Sequence, residues 1–257
     1  MDLRDAVEFG ELKTASLIVD AVYKGGTRGD IGDDPLSQLL PCGNQGGFRI
    51  SRDEKTRAYR IAILYTSGDD PDWPDTLDQE LGRFTYYGDN KTPGRELHGT
   101  PRGGNSLLRH SFDAVHDDPP RRHDVPPFFI FEKAGTGRDV RFRGLAVPGG
   151  DSSTARDDLV AVWRSTRGRR FQNYRAVFTV LDAQVIERAW LDSLTLAGGH
   201  GGTGGPPAWR TWVKAGTYRP LRAPHTIQHR DPAAQAPASK REREVVEAVY
   251  EYFKDDP

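Results

Sequence analysis

Cysteine is nearly absent: Cys42 stands alone among 257 residues. No disulfide can close within the chain, and no cysteine-based zinc site can form, so a reducing cytoplasm is the compartment expected. Long apolar runs are missing as well. Hydrophobic residues make up 36%, and no stretch approaches the roughly 20 residues of a membrane-spanning helix. The opening MDLRDAVEFGELK has no apolar segment of the kind a signal peptide needs, so none is expected. There is no excess of charge of either sign: 36 Lys and Arg face 37 Asp and Glu, leaving a net charge of -1. Bulk charge therefore does not mark a nucleic-acid partner. Glycine (28) and proline (18) are frequent enough to rule out a framework of long helices.

The sequence does carry strand patterns separated by turns. TASLIVDAVY (14–23) is apolar and β-branched. AYRIAILYTS (58–67) alternates Tyr59, Ile61, Ile63 and Tyr65, which predicts a half-buried strand. FFIFEK (128–133), DVRFRGLAV (139–147), DLVAVWRST (158–166) and YRAVFTVLD (174–182) read as further strands, with RSTRGRRFQN and VPGGDSST as turn-rich connections. A helix is expected from an Asp182 N-cap through Ile186, Trp190 and Leu194 to Gly198. AGGHGGTGGPP (197–207) reads as a flexible loop, and AWRTWVKAGTYRPL (208–221) as a last ordered piece. RDPAAQAPASK has a linker composition. REREVVEAVYEYFKDDP (241–257) is amphipathic, with Val245, Val246, Val249, Tyr250 and Phe253 on one face. It reads as the opening of a truncated downstream domain; the alternative is a C-terminal clamp docking back on the body. The fold class expected is mainly β with a few helices (α+β), a curved sheet or partial barrel flanked by helices.

The stretch SGDDPDWPDTLDQELGRFTYYGDN places acids and rings together. Prolines and a misplaced glycine break the alternate-ligand spacing of a calcium loop. A flipped nucleobase fits the composition better, because it needs flat faces to stack on and acceptors for its edge. The N4 amino group of cytosine is a donor that a carboxylate accepts. Trp73, Tyr86 and Tyr87 offer rings, and Asp75 and Asp78 offer acceptors. Gly82 and Gly88 let backbone approach without a Cβ. Aromatic residues in a strand such as RFTYYG are more often core than pocket, because aromatics are favoured strand residues in any case.

The order of these motifs resembles the SRA (SET- and RING-associated) domain, a reader of 5-methylcytosine in DNA. The matching parts are Asp75 and Asp78, Gly82, Phe84-Thr85-Tyr86-Tyr87-Gly88, and Gly103-Gly104-Asn105 before Leu107-Leu108. GNQGGFR (43–49) stands where the family has a glycine loop, and RRFQNYRAVFTV (169–180) resembles a later family strand. The likeness runs over roughly residues 10–190 and is nearest in flavour to the SRA-like domains at the N-terminus of bacterial type IV, modification-dependent restriction endonucleases. DDPDWPDTLD replaces the acidic segment of the eukaryotic readers, and the loop after FTYYG lacks their Asn-Lys-Arg tip. No preference for hemimethylated DNA is therefore carried over.

The resemblance implies an SRA/PUA-like fold over residues 1–225, a linker over 226–240 and the leftover helix over 241–257. It implies that Tyr86 stacks on a flipped 5-methylcytosine or 5-hydroxymethylcytosine, with Trp73 or Tyr87 opposite. Asp75, or else Asp78, would accept from N4, with Gly88 and Asp89 reading the rest of the edge. Asn90, Lys91, Arg95, Arg102, Asn105 and Arg109 would lie on the DNA side of the loop beyond. A second basic set, Arg141, Arg143, Arg167, Arg169 and Arg170, suits phosphates, although a solvated strand face explains it as well. The partner implied is duplex DNA with modified cytosine, with no membrane, and a homodimer of the full-length protein is left open. No catalytic or metal-binding residue and no cofactor is assigned to this chain; a divalent metal would belong to a downstream nuclease domain. The competing reading is a metal-dependent HNH-type nuclease using His98, Asn105 and His110, although their spacing is tight and broken by proline and glycine. Readers of a different DNA mark and protein-interaction modules also remain open.

Overall fold

The computed structural model describes residues 6–223, apart from residues 44, 136, 152 and 197–203. The linker and amphipathic helix expected over 226–257, and most of the glycine run at 197–207, lie outside the described residues.

Among the described residues twelve strands form in chain order: β1 (Ala6–Val7), β2 (Leu17–Ile18), β3 (Val22–Tyr23), β4 (Phe48–Arg52), β5 (Tyr59–Thr66), β6 (Thr76–Asp78), β7 (Arg83–Tyr87), β8 (Phe128–Lys133), β9 (Val140–Pro148), β10 (Leu159–Thr166), β11 (Arg169–Val180) and β12 (Val185–Ile186). The α-helices among them are α1 (Pro35–Leu39), α2 (Gly104–His116), α3 (Ala155–Asp158), α4 (Arg188–Ser193) and α5 (Pro207–Ala215), beside short 3-10 turns at Phe9–Thr14, Ile31–Asp33 and Arg122–Asp124. Ten strands make one mixed sheet with the central order β4-β5-β8-β9-β11-β7-β6. β10 extends β11, β3 joins β9 and β1 joins β3, while β2 and β12 pair separately. The sheet does not close into a barrel, and the fold is the mainly β, α+β class expected.

The centre of the sheet is buried on both faces. Ile61 to Leu64 and Phe128 to Phe131 are each 0% exposed, and β5 and β8 run parallel with Ala62 opposite Phe128. The period-2 alternation in β5 therefore does not mean one wet face: helices and loops cover both sides, as parallel pairs require. Phe129 contacts Phe142 and Trp190, and Trp190 contacts Trp209, which contacts Trp212. This aromatic chain pins α4 and α5 to the sheet.

Four expectations change. TASLIVDAVY is not one strand but β2 and β3, broken where Asp20 adopts a positive φ of 67°. The helix expected from Asp182 begins only at Arg188, because Val185 and Ile186 pair with Ile18 and Leu17 first. The turn-rich RSTRGRRFQN is largely strand. Thr166 pairs with Arg169 across the two residues Arg167 (φ 51°) and Gly168 (φ 73°), both left-handed as a tight hairpin turn demands. The segment around ELHGTPRGGNSLLRH contains α2, the longest described helix. Its apolar residues Leu108, Phe112 and Val115 recur at helical spacing, but a glycine pair at its start hides the onset.

Candidate nucleobase pocket and nucleic-acid interface

A cavity of about 320 Å³ opens at the C-terminal end of β7. It is lined by Gly47, Phe48, Tyr65, Tyr86, Gly88 and Asp89, with Lys91, Arg95, Pro101 and Arg102 at its rim. The volume lies at the small end of the range for organic ligand sites. One wall is aromatic: Tyr86 is 3% exposed, and its ring meets Phe48 edge-on with centroids 5.8 Å apart. Burial, with the nearby charges of Asp75 and Asp89, pushes the Tyr86 phenol well above its ordinary range, so it is a neutral donor at any physiological pH. Arg102 donates from Nη1 to the carbonyl of Gln45 at 2.6 Å and lies against Gly46, where a Cβ would collide with the guanidinium.

A buried amide network builds the floor. The Asn173 Oδ1 accepts from Asn90 N (3.2 Å), Asn105 Nδ2 (3.1 Å) and Tyr174 N (3.0 Å), while its Nδ2 donates to the Gly88 carbonyl (3.0 Å). Asn105 Oδ1 accepts from Asp89 N, and the Asp89 carboxylate accepts from Gly104 N (2.8 Å) and Asn105 N (2.9 Å), capping the positive end of α2. Gly88 is needed here because a Cβ would fall 1.7 Å from Asn105 Oδ1. The end of β7, the start of α2 and the middle of β11 are thus tied at one point.

Asp75 borders the cavity without lining it. Its Oδ1 accepts from Tyr87 N at 2.9 Å. Burial pushes its carboxyl up to about 6, against the lowering effects of Tyr87 N, Lys91 and Thr66. The sign of the consequence is fixed. An unfolded aspartate titrates near about 3.9, so between about pH 4 and 6 the folded state holds more protons than the unfolded one. Stability from this group is fully present below about pH 4 and is lost as pH rises through about 6, by up to about 3 kcal/mol. Asp75→Asn keeps an acceptor for Tyr87 N and removes that slope. Urea unfolding at pH 4.5 and 7.5 is expected to show the variant gaining on the wild type at the higher pH. Parallel behaviour of the two proteins would mean that Asp75 titrates normally.

The remaining predicted site residues are distributed as follows. Trp73 is 3% exposed, packs against Tyr87 and Phe171, and carries Arg164 over its ring at 4.9 Å. Asp78 is exposed at the end of β6 and accepts from Leu81 N in the turn that follows. Asn90 (1% exposed) and Asn105 (0%) are internal members of the amide network. Lys91 bonds Asp70 at 3.0 Å, and Arg109 bonds Asp113 at 2.6 Å. Arg141 reaches the Asp20 carbonyl, and Arg143 is held between Asp20 and Glu132. Arg167, Arg169 and Arg170 lie at the β10–β11 hairpin, where Arg170 stacks over Trp163 at 4.6 Å. Of the histidine set, His98 bonds the Tyr174 hydroxyl (3.0 Å) and His110 rests on Tyr59. Asn105 is turned inward, so the three do not converge. Among the described residues no group of three or more His, Cys, Asp or Glu side chains is placed to hold a metal ion. No helix among them is long and apolar enough to cross a membrane. Sequence reasoning did not find Phe48 and Tyr65 as cavity walls or Asn173 as their support; the only signal was their place beside GNQGGFR and within RRFQNYR.

A mixed sheet with an aromatic and acidic pocket beside a basic rim defines the class of SRA-like DNA-recognition domains. The family model for the N-terminal region of the restriction endonuclease AspBHI matches residues 17–224, and the chain belongs to that family. The DNA recognition domain of the cytosine modification-dependent restriction endonuclease LpnPI is 43% identical, with a TM-score of 0.80, covering 86% of this chain and 98% of that one. The DNA modification-dependent restriction endonuclease AspBHI is 48% identical, with a TM-score of 0.77, covering 85% of this chain and 100% of that one. MspJI, crystallised with a 27-mer oligonucleotide, shares the fold at 20% identity, with a TM-score of 0.62, over 95% of this chain and 62% of that one. No curated protein matches the chain.

Proposed function

We propose that this chain binds duplex DNA carrying 5-methylcytosine or 5-hydroxymethylcytosine by flipping the base into the Tyr86 cavity. In this reading it is the recognition module of a modification-dependent restriction endonuclease, active in the cytoplasm, with bond cleavage and any divalent metal left to a separate nuclease domain. The observation that carries the reading is the small cavity walled by Phe48, Tyr65 and Tyr86, with two carboxylates beside it and Lys91, Arg95 and Arg102 at its mouth. The likeness to a DNA recognition domain of a cytosine modification-dependent restriction endonuclease, LpnPI, and to the DNA modification-dependent AspBHI supports the same reading.

Unstacking a base costs a few kcal/mol, which stacking and edge contacts must offset. Tyr86 supplies the ring, beside Phe48; Trp73 and Tyr87, expected as the opposing face, pack on each other and do not line the cavity, because Tyr87 points to the other face of β7 from Tyr86. Asp75 is the proposed acceptor for N4, and Asp89 and the Gly88 backbone read the rest of the edge; Asp78, at the far end of β7 beside Arg83, is too distant to serve. The rim cations meet phosphates, giving an affinity that falls with salt. Fluorescence polarisation on one duplex with cytosine, 5-methylcytosine or 5-hydroxymethylcytosine tests this. Tighter binding to a modified duplex is expected, lost in Asp75→Ala while a salt-sensitive background survives. In the wild type the preference should fade as pH drops through about 6, where Asp75 gains its proton. Equal binding to all three duplexes would remove the pocket assignment.

A further inference from the structure

β7 pairs with β11 only over Arg175 to Thr179. From Tyr174 back to Arg169, β11 pairs among the described residues with β10 alone, so the hairpin runs on past the β7 ladder as a two-stranded ribbon, with Phe171, Asn173 and Tyr174 still buried and the Trp163 face and tip exposed. Its surface is unusual for a mere edge. Trp163 is 54% exposed, with Arg170 stacked on it at 4.6 Å. Among the described residues, no carboxylate forms an ion pair with Arg167, Arg169 or Arg170, whereas Arg164, on the face it shares with Phe171 and Arg169, is paired with Asp72. The Trp163 level is also joined to the cavity rim: its register partner Gln172 accepts at its carbonyl from Asn90 Nδ2, next to Lys91.

The register sets the reach. Trp163 stands opposite Gln172, four residues before Ala176, the partner of Tyr86. At ~3.3 Å per residue that is about 13 Å from the cavity level, and Arg169, seven residues away, lies at about 23 Å. Along a duplex these spans correspond to about four and seven base-pair steps at ~3.4 Å each. The major groove of DNA admits a two-stranded ribbon of this kind.

We propose that the β10–β11 ribbon is a second DNA contact, seated in the groove of the same duplex about four to seven base pairs from the flipped base. Trp163 lies against sugar and base edges, and Arg167, Arg169 and Arg170 meet phosphates. This rests on the proposed base-flipping reading for where the duplex runs. Polarisation titrations would compare a 5-methylcytosine duplex with three base pairs on either side and one with twelve. The wild type is expected to bind the long duplex at least tenfold tighter. Trp163→Ala and Arg169→Gln/Arg170→Gln, both at exposed positions, should abolish most of that gain. They should leave short-duplex binding and the ratio of modified to unmodified affinity unchanged. The double arginine variant should also lower the salt slope on the long duplex by about two. Equal losses on both duplexes, or none on either, would overturn the ribbon contact. So would a change in sedimentation mass of the free protein on Trp163→Ala, which would make the face a self-association surface. A wild type that gains affinity with length but ignores the modification would sink the pocket reading and leave the ribbon standing.

Discussion

Asn173→Ala is expected to destabilise the domain by about 3–5 kcal/mol, because one buried side chain serves four backbone and side-chain partners. The amide is 0% exposed. Its loss leaves Asn90 N, Asn105 Nδ2 and the Gly88 carbonyl without their shared partner, and Tyr174 N loses an acceptor as well. At roughly 2–4 °C per kcal/mol for a domain of this size, Tm should fall by about 10 °C. The effect on recognition should be larger than on a neutral surface variant of equal stability, since Gly88 and Asp89 form the cavity floor. Thermal melts paired with polarisation on a modified duplex would check both parts. A loss under about 1 kcal/mol would mean that water replaces the amide, as it does in accessible polar sites.

Arg49→Leu should cost a similar amount, about 3–5 kcal/mol, by stranding a buried carboxylate. Arg49 meets Asp34 with its two terminal guanidinium nitrogens, Nη1 at 2.7 Å and Nη2 at 2.8 Å, and both side chains are less than a tenth exposed. The same guanidinium holds the carbonyls of Gly43 and Gly46 at 2.9 Å, which fixes the loop that brings Gly47 to the cavity. Arg49→Lys should recover little, because an ammonium cannot reproduce the planar two-point contact. Pairing Arg49→Leu with Asp34→Asn should restore part of the stability, since the uncompensated charge is gone, but not the loop position. Urea midpoints for the two single variants and the double one form the cycle that measures this. Additive losses would show that the pair is not coupled and that the loop contacts alone carry the cost.

The sequence by itself determined the class of fold and the neighbourhood of the site. Apolar runs such as FFIFEK and YRAVFTVLD have only one economical arrangement, a buried sheet, and FTYYG followed by acids and a glycine loop marks the end of one of its strands. Tertiary structure alone decided which of several identical residue types do which job. Asp75 and Asp78 sit three residues apart, yet one turns inward to Tyr87 N and the other caps a turn at Leu81 N. Three asparagines up to 83 residues apart in the chain become one buried network. Helix α2 escaped sequence reading because its start is capped by Asp89, fifteen residues upstream of Gly104. Local patterns fix what a segment prefers. Burial and hydrogen-bond partners depend on which distant segments the sheet brings together, and that decides charge state, rigidity and which side chains face a ligand.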